Sequence, residues 1–530
     1  MGKKKVLVTE RVADEGIELL KTEVEVDYRD GIKREELLKI IGNYDALIVR
    51  SVTMVDEELV KAGLPRLKVV GRAGNGVDNI VVEACTRNGI IVANTPDSNT
   101  ISAAEQTISL LLSSARKTAW ANQFLKEGTW DRKPFRGVEL FGKTIGIVGL
   151  GRIGSMVATR LKAFKMRVIA YDPYITDERF ERFEAEKRNT LEELVKESDF
   201  ISVHTPRNEE TMHMINEKIL SLAKEGVRLV NCARGGIIEE KAMISGLNSG
   251  KVASAGLDVF EKEPALENPL FDFETVVVTP HLGADTYEAQ KRVGETIAEQ
   301  VLKALRGEIV PNIVNLPAMV REELNLLQPY IILAEKLGNI YYQVAKTPVE
   351  RLELTYSGHI SEHETEMLTI SFLKGLLGPV IEQVNYVNAR ITASDRGIKI
   401  IEKQEGQGTK RYTNLITAHI FSKTEGIELA GTVNQSKVPI LTEIDGYEME
   451  SELEGYVLLV KHEDRPRVIG PFATKLGDYG VNIAGMKVAR KKKGDISLML
   501  INVDNKVEEE VLTLLTDSDG IREAPVLLNF

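Results

Sequence analysis

The sequence predicts an α/β protein in which two parallel-sheet domains precede two smaller α+β domains. Short β-branched runs alternate with helix-like stretches up to about residue 307, which is typical of parallel sheets. A glycine fingerprint directly follows one of these runs. The alternation then stops, and Pro317 with the charged residues around it indicates a linker. The 530 residues suffice for three or four domains of about 150 residues each.

The first part of the chain contains five apolar runs, each followed by a stretch of helical composition. These predicted strands are residues 6–9, 24–28, 46–49, 67–71 and 90–94. The pattern ends near Pro96. Residues 102–105 then read Ser-Ala-Ala-Glu, the form of a capping box, and predict a helix from there to about Trp120.

The glycine fingerprint lies after a strand predicted at residues 144–148. We expect Gly149 to make the tight turn, Gly151 to let backbone N–H groups approach a pyrophosphate, and Gly154 to let helix and strand pack closely. Asp172, at the end of the next strand, is placed to accept hydrogen bonds from a ribose and to repel a 2′-phosphate. The pattern therefore predicts NAD as the cofactor, and the alternative is an ordinary strand-to-helix turn.

Further strands and helices complete the predicted organisation. Strands at 200–203, 228–231, 254–257 and 275–279 bring the second sheet to six, and a helix is predicted over 287–306. Residues 308–452 show mixed helix and strand signals without a catalytic pattern. The last 75 residues predict a compact module with strands at 455–461, 482–489 and 496–503 and a helix at 467–479.

The composition of the chain argues against several classes of function. The net charge of −11 argues against a general affinity for nucleic acid or an anionic membrane surface. No run has the length of a membrane span or of a signal-peptide apolar region. Two cysteines, Cys85 and Cys232, exclude a disulfide framework and a cysteine-based metal cluster, and they suit a reducing compartment. We expect a cytoplasmic protein without a metal.

Three side chains that follow successive strands of the second sheet form the predicted catalytic site. Arg234 lies in a glycine-flanked turn and offers a bidentate grip on a carboxylate. Glu263 and His281 follow the next two strands and converge at the same sheet edge, where the carboxylate fixes the imidazole ring. This pair suits removal of a hydroxyl proton while hydride leaves the same carbon. His204 also follows a strand, but Thr205 beside it favours a cofactor-facing loop. The alternatives are a solvated Arg234 and a structural His281.

Basic residues in the first domain predict a site for an anionic substrate. Arg50 and Arg72 end strands, and the backbone N–H groups of residues 73–76 are expected to form an anion-binding nest. Arg132 and Lys133 add reach from a loop of the second domain. Each charge alone is typical of a solvated surface, whereas together they suit a phosphate or carboxylate.

These motifs resemble those of the D-isomer-specific 2-hydroxyacid dehydrogenases over essentially the whole chain. The resemblance is most specific at residues 71–79, 149–154, 231–236, 258–264 and 280–284. It implies a discontinuous flavodoxin-like substrate domain, 1–97 and 282–307, around a Rossmann domain at 98–281. It further implies an intervening regulatory domain at 308–452, an ACT domain at 453–530 and a homotetramer.

The same resemblance implies NAD-dependent oxidation of 3-phosphoglycerate to 3-phosphohydroxypyruvate, the first step of L-serine biosynthesis, with Arg234, Glu263 and His281 as the catalytic trio. The implied NAD contacts beyond the three glycines are Asn75, Arg152, Ile153, Asp172, Thr205, Cys232, Arg234, Asp258, His281 and Gly283. The substrate contacts are Arg50, Arg72, the backbone of Ala73 and Gly74, and Arg132.

The ACT module departs from the family at one position. ACT modules that bind an amino acid often carry Arg-Pro-Gly in the first strand-to-helix loop, whereas this chain has Arg465, Pro466 and Arg467. A side chain there crowds the site, although Asp464 and Asn482 occupy matching places. L-serine as an effector is therefore a hypothesis.

Two other functions remain open at this point. One is a different D-2-hydroxyacid dehydrogenase, such as a glyoxylate or hydroxypyruvate reductase, which does not need the residues beyond 308. The other is an NAD-sensing, corepressor-like binding protein, which has no need for a phosphate-holding cluster at Arg50 and Arg72.

Overall fold

The protein is described by a computed structural model that covers residues 3–308, 310, 312–317, 319, 321–345, 347–408 and 411–530. Within these residues the strands form four sheets. The first two sheets are parallel and the last is antiparallel, while the third mixes one parallel pair with antiparallel pairs. The fold class predicted from the sequence is confirmed.

The first sheet has the strand order of a flavodoxin-like domain, β2-β1-β3-β4-β5. Its strands are β1 (Lys5–Val8), β2 (Glu25–Tyr28), β3 (Ala46–Val49), β4 (Val69–Arg72) and β5 (Ile91–Ala93). The helices between them are α1 (Asp14–Lys21), α2 (Arg34–Ile40), α3 (Glu57–Gly63) and α4 (Val82–Arg87). β3 is wholly buried, as expected for an apolar run within a parallel sheet.

The second sheet is a doubly wound unit with the order β12-β11-β10-β9-β6-β7-β8. Its strands are β6 (Thr144–Val148), β7 (Arg167–Tyr171), β8 (Glu186–Lys187), β9 (Phe200–Val203), β10 (Val227–Asn231), β11 (Val252–Leu257) and β12 (Val276–Val278). Its helices are α5 (Thr100–Arg116), α6 (Thr118–Lys126), α7 (Arg152–Ala163), α8 (Asp177–Arg182), α9 (Leu191–Glu197), α10 (Glu217–Ser221) and α11 (Glu240–Ser249). The strand order reverses between β6 and β9, where ligands bind in such sheets.

Helix α12 (Tyr287–Leu305) crosses back to the first sheet. Its apolar residues, including Val293 and Ile297, share a core with Val6 and Val69. A Cβ on Gly16 of α1 would collide with the backbone of Gly294, so the two helices approach each other at their glycines.

The third sheet lies against long helices and has the order β14-β13-β15-β16-β17-β18. Its strands are β13 (Arg351–Gly358), β14 (Lys399–Glu405), β15 (Asn414–Phe421), β16 (Gly426–Val433), β17 (Pro439–Ile444) and β18 (Tyr447–Glu452). The helices are α13 (Arg321–Val344), α14 (Glu366–Leu377) and α15 (Ala389–Asp395).

The fourth sheet, β20-β21-β19-β22, forms the C-terminal module. Its elements are β19 (Tyr456–Glu463), α16 (Ile469–Asp478), β20 (Ile483–Arg490), β21 (Ile496–Val503), α17 (Glu509–Thr516) and β22 (Val526–Asn529). The last helix and strand were not anticipated from the sequence.

The capping-box prediction at residues 102–105 is wrong. Helix α5 already begins at Thr100, and the Ser102 hydroxyl donates to the Asn99 carbonyl, 3.0 Å away, from inside the helix. The helix also ends earlier than predicted, because Lys117 adopts a left-handed conformation with φ of 56°. A separate helix, α6, then starts at Thr118. The second sheet has one more strand than predicted, the two-residue β8.

Neither membrane-spanning nor metal-binding features occur in the part of the chain that the structure describes. No helix there is both long and apolar enough to cross a membrane. No group of three or more His, Cys, Asp or Glu side chains there is arranged to hold a metal ion. Cys85 and Cys232 are both free thiols.

Candidate active site

The turn that carries Arg234 is fixed by the buried side chain of Asn231 at the end of β10. The Asn231 amide donates to the Arg234 carbonyl over 2.9 Å, and its oxygen accepts from the N–H of Ala233 over 3.0 Å. A Cβ on Gly235 would collide with the Phe260 carbonyl, so glycine lets this turn touch the loop after β11. Asn231 was not predicted as a site residue, and its side chain explains why Arg234 is held at the sheet edge.

His281 and Glu263 form a hydrogen-bonded pair. His281 Nδ1 lies 2.7 Å from Glu263 Oε2, and Glu263 Oε1 accepts from the Phe260 N–H over 3.0 Å. Burial acts to raise the pKa of Glu263. The hydrogen bond and charge of His281, the Phe260 N–H and the charge of Arg234 outweigh burial, so the pKa is lowered. Glu263 is thus a carboxylate near neutral pH, and it directs His281 Nε2 away from itself.

Asp258 holds the loop that carries His281. Its buried carboxylate accepts from the Thr279 hydroxyl at 2.5 Å and from the N–H groups of Leu282 and Gly283, each at 2.7 Å. The Asp258 carbonyl also accepts from the His281 N–H over 2.9 Å. Asp258 was expected to contact NAD, whereas in the structure its carboxylate is bonded to this loop. Gly283, another expected NAD contact, belongs to the same loop.

Three guanidinium groups from different elements lie close together. The pKa of Arg72 is lowered to about 10, first by burial and then by the nearby positive charges of Arg234 and Arg50. The Nε atom of Arg72 is buried without a hydrogen-bond partner. Arg234 Nε lies 3.4 Å from Asp78 Oδ2, the nearest counter-charge. A cluster of three guanidinium groups, only partly compensated by Asp78 and Glu10, suits an anionic ligand.

Two of the four N–H groups of the expected anion nest at residues 73–76 already have backbone partners. The Ala73 N–H donates to the Val49 carbonyl and the Gly74 N–H donates to the Arg72 carbonyl, each over 2.8 Å. These two donors therefore serve the backbone. Gly74 has another role, because a Cβ there would collide with the Arg72 guanidinium.

Convergent N–H groups occur instead in the loop after β3. The backbone N–H groups of Arg50, Ser51, Val52 and Thr53 all donate to the carboxylate of Glu10. Sequence reasoning missed Glu10, although it follows β1 at the same sheet edge. The rule that ligand-binding residues follow strands would have selected it.

The glycine turn after β6 has the geometry expected of a dinucleotide site. Gly149 has φ of 92°, and a Cβ on it would lie 2.9 Å from the His204 carbonyl oxygen. A Cβ on Gly154 would collide with the Gly149 carbonyl. A Cβ on Gly151 would meet no protein atom within 4 Å, so it faces open space at the start of α7. That space, beside a helix N-terminus, fits a pyrophosphate.

The residues around this turn also fit NAD. The Asp172 carboxylate accepts from the Leu150 N–H over 2.9 Å, which holds the acid beside the glycine turn. The Thr205 hydroxyl is buried without a partner. Arg152, with Ile153 in the first turn of α7, pairs with Asp97 over 2.7 Å.

Two other polar groups near the turn are unsuited to acid–base or nucleophilic chemistry. Burial raises the pKa of the Cys232 thiol to about 12 and lowers the pKa of His204 to about 4. His204 is therefore neutral at physiological pH, where its ring bonds the Ser202 hydroxyl over 2.9 Å. Asn75 is held through its carbonyl, which accepts from Asn94 Nδ2 over 2.6 Å.

Other predicted site residues stay predictions. Arg132 and Lys133 lie in an exposed segment, where Lys133 begins a short 3₁₀ helix. In the ACT module, Asp464 pairs with Arg490 and Asn482 bonds Asp504, so these two expected effector residues do not bond each other.

Replacing Gly151 with alanine should weaken NAD binding while leaving the fold intact, because the added Cβ enters the space next to the pyrophosphate. We expect the dissociation constant for NADH to rise about tenfold or more, which corresponds to about 1.4 kcal/mol. Gly154→Ala is the matched control, and its overpacking should lower the free energy of unfolding by about 1–3 kcal/mol. Fluorescence titration measures the dissociation constant for NADH, and thermal unfolding measures the change in the free energy of unfolding. Unchanged NADH affinity in Gly151→Ala would contradict the placement of the cofactor.

Three family models match the chain. They are the NAD binding domain of D-isomer specific 2-hydroxyacid dehydrogenases at residues 108–283, the D-3-phosphoglycerate dehydrogenase intervening domain at 326–445 and the ACT domain at 456–519. The first confirms NAD as the cofactor, and the third confirms the ACT module.

Curated relatives match the chain over nearly its whole length. D-3-phosphoglycerate dehydrogenase of Methanocaldococcus jannaschii is 45% identical over 524 residues, 99% of each chain. The Bacillus subtilis protein of the same name is 40% identical over 524 residues, 98% of each chain. Among solved structures, D-lactate dehydrogenase from Aquifex aeolicus, complexed with NAD and lactic acid, is 30% identical with a TM-score of 0.52. It aligns with 58% of this chain and 98% of its own.

Proposed function

Because this chain belongs to the D-3-phosphoglycerate dehydrogenase family, we propose that it oxidises 3-phosphoglycerate to 3-phosphohydroxypyruvate with NAD, the first step of L-serine biosynthesis. One observation carries the choice of substrate. The Arg50, Arg72 and Arg234 cluster adjoins the His281–Glu263 pair, since Arg234 acts electrostatically on both Arg72 and Glu263. A substrate with an anion at each end suits this arrangement.

In the proposed mechanism, Arg234 grips the substrate carboxylate and orients the C2 hydroxyl towards His281. Glu263 accepts a hydrogen bond from the Nδ1–H of His281, so the neutral ring presents the lone pair of Nε2. His281 takes the hydroxyl proton as the C2–H bond breaks, and the Glu263 carboxylate stabilises the imidazolium that forms. NAD, when bound, accepts the hydride. Arg50 and Arg72 hold the phosphate by charge-assisted hydrogen bonds during the whole reaction.

We propose that the domains of this structure have the boundaries predicted from the sequence. The substrate domain comprises 1–97 and 282–307, the Rossmann domain 98–281, the intervening domain 308–452 and the ACT domain 453–530. The shared core of β1, β4 and α12 supports the discontinuous substrate domain. A homotetramer and a cytoplasmic location remain predictions from the family resemblance.

The two alternative functions are weaker. A simple glyoxylate or hydroxypyruvate reductase does not account for the intervening and ACT domains. An NAD-sensing binding protein does not account for the burial of Arg72 beside two further arginines, which costs free energy unless an anion is bound.

Product analysis tests the proposed reaction. Incubation with 3-phosphoglycerate and NAD, with a carbonyl trap to draw the unfavourable oxidation forward, should yield the trapped 3-phosphohydroxypyruvate by mass spectrometry together with stoichiometric NADH. D-glycerate is the control substrate and should react far more slowly. Equal rates on D-glycerate, or no NADH from either compound, would contradict the proposal.

We further propose that L-serine inhibits the enzyme through the ACT domain, near Asp464 and Asn482. Arg467 has φ of 67°, a left-handed backbone conformation that glycine adopts more readily than arginine. Arg467→Gly should strengthen inhibition by clearing the site, and it should stabilise the fold by about 1 kcal/mol through relief of strain. Inhibition curves of both proteins measure the effect. An activity that ignores serine in both proteins would contradict the hypothesis.

A further inference from the structure

We infer that Glu10 is a positioning residue that fixes the loop after β3 and thereby sets Arg50 for the anionic end of the substrate. The inference rests on the proposed function, in which Arg50 holds the phosphate. Glu10 itself is buried and touches no part of the catalytic pair.

The first support is the number and symmetry of the contacts of Glu10. Its Oε1 accepts from the N–H groups of Arg50 and Thr53, each over 2.9 Å. Its Oε2 accepts from the N–H groups of Ser51 and Val52, each over 3.1 Å. One carboxylate therefore satisfies four consecutive backbone donors, which holds the loop in the shape of an anion-binding nest.

The loop is held from its other side by Asn79. The buried Asn79 amide donates to the Arg50 carbonyl over 2.9 Å and to the Thr53 carbonyl over 2.6 Å. The Thr53 hydroxyl lies 2.9 Å from that of Thr9, next to Glu10. The backbone donors and carbonyls of this loop thus bond to side chains 26 to 43 residues away in the chain.

The Arg50 side chain is oriented from the same segment. Its guanidinium donates to the Arg11 carbonyl over 3.3 Å, so residues 10 and 11 hold both the backbone and the side chain of Arg50. A long arginine side chain otherwise adopts many conformations in solvent. A few hydrogen bonds of this kind are enough to keep it in one orientation.

The charge of Glu10 also suits a site for an anion. Its four N–H partners stabilise the negative charge by hydrogen bonding. The carboxylate also stabilises the cation of Arg72, which partly offsets the repulsion among the arginines. Burial acts to raise the pKa of Glu10, but the N–H donors of Thr53, Arg50 and Val52 outweigh it and the pKa is lowered. Glu10 is therefore a carboxylate at the neutral pH at which we expect the substrate phosphate to bind.

Glu10→Gln tests the inference without changing side-chain volume. A glutamine oxygen serves two of the four donors, while its NH₂ group faces the other two, so the loop should open. We expect kcat/KM for 3-phosphohydroxypyruvate to fall about tenfold or more, mainly through KM, with less than a threefold change for unphosphorylated hydroxypyruvate. The dissociation constant for NADH should change less than twofold. Glu18→Gln, on the exposed face of α1, is the matched control and should match the unmodified protein.

The effect should pass through Arg50. In an Arg50→Ala background, Glu10→Gln should lower kcat/KM for 3-phosphohydroxypyruvate less than twofold, because the group that it positions is absent. Equal losses in both backgrounds, equal losses for both substrates, or weakened NADH binding would each overturn the inference in favour of a general structural role. If Glu10→Gln does not fold, Glu10→Asp retains the charge with a shorter reach and should show the same selective loss of phosphate preference. An unselective loss in Glu10→Asp overturns the inference.

Amide hydrogen exchange separates this inference from the proposed function. Without any substrate, the N–H groups of residues 50–53 should be protected in the unmodified protein and should exchange at least tenfold faster in Glu10→Gln. If the unmodified protein shows no preference for a phosphorylated substrate, the proposed function fails. The exchange data then decide on Glu10 alone: faster exchange supports its positioning role, and unchanged exchange overturns it.

Discussion

Alanine in place of His281 should abolish practical turnover while NADH still binds. The side chain is the only titratable group that we place on the substrate hydroxyl, and general acid–base catalysis contributes about 10²–10⁴-fold to kcat. We expect a fall of that size, with the dissociation constant for NADH changed less than twofold. Steady-state kinetics and fluorescence titration measure the two quantities.

The variant Glu263→Gln tests the contribution of the carboxylate, for comparison with the loss of the imidazole in His281→Ala. It keeps the volume of the side chain but removes the charge that stabilises the imidazolium and orients the ring through the 2.7 Å contact. The loss of kcat should be smaller than in His281→Ala, because the imidazole that takes the hydroxyl proton is still present. Near-normal activity of His281→Ala would show that another group is the base.

Removing Arg50 and Arg72 together should erase the preference for a phosphorylated substrate. Each lost charge-assisted hydrogen bond costs about 1.5–3 kcal/mol, so two losses lower kcat/KM for 3-phosphohydroxypyruvate by about a hundredfold or more. The value for hydroxypyruvate, which lacks the phosphate, should change much less. Kinetics of the double variant Arg50→Ala, Arg72→Ala on both substrates measure the ratio.

An exposed arginine offers a matched control for this pair. Arg29 lies in the same domain and forms surface ion pairs with Asp27 and Glu36. Because such surface pairs contribute little, Arg29→Ala should leave both kcat/KM values unchanged. A double variant that loses equal activity on both substrates would mean that Arg50 and Arg72 support the fold or the catalytic pair instead of the phosphate.

The parts of the site that were predicted from the sequence follow from short-range patterns. The glycine fingerprint and Asp172 lie within one strand–helix–strand unit, so spacing alone placed them. Arg234, Glu263 and His281 each follow a strand of one parallel sheet, and the geometry of such sheets brings strand ends together. The structure does bring His281 and Glu263 into contact, although their roles in catalysis remain predictions.

The parts that were missed depend on contacts between distant residues. Glu10 bonds a loop 40 to 43 residues further along the chain, and no local pattern reveals that the loop turns its N–H groups towards it. The nest was expected at residues 73–76, and two of its donors were lost for a related reason: the adjacent strand accepts from the Ala73 N–H and the turn itself from the Gly74 N–H. The capping box at Ser102 was wrong because helix α5 already begins at Thr100, so Ser102 lies inside its first turn.

The ACT loop shows an intermediate case. The sequence identified Arg467 as the departure from the family motif, and the structure adds that its backbone stays left-handed, with φ of 67°. Strain of this kind cannot be read from residue types, because the conformation is imposed by the strand and helix on either side.

The most direct test of the proposed activity is the ratio of kcat/KM for 3-phosphohydroxypyruvate to that for hydroxypyruvate, measured by NADH oxidation with the unmodified protein. Two phosphate contacts predict a ratio of about a hundred or more. A ratio near one, or a preference for hydroxypyruvate, would contradict the assignment of Arg50 and Arg72 to a phosphate and would favour a general D-2-hydroxyacid reductase.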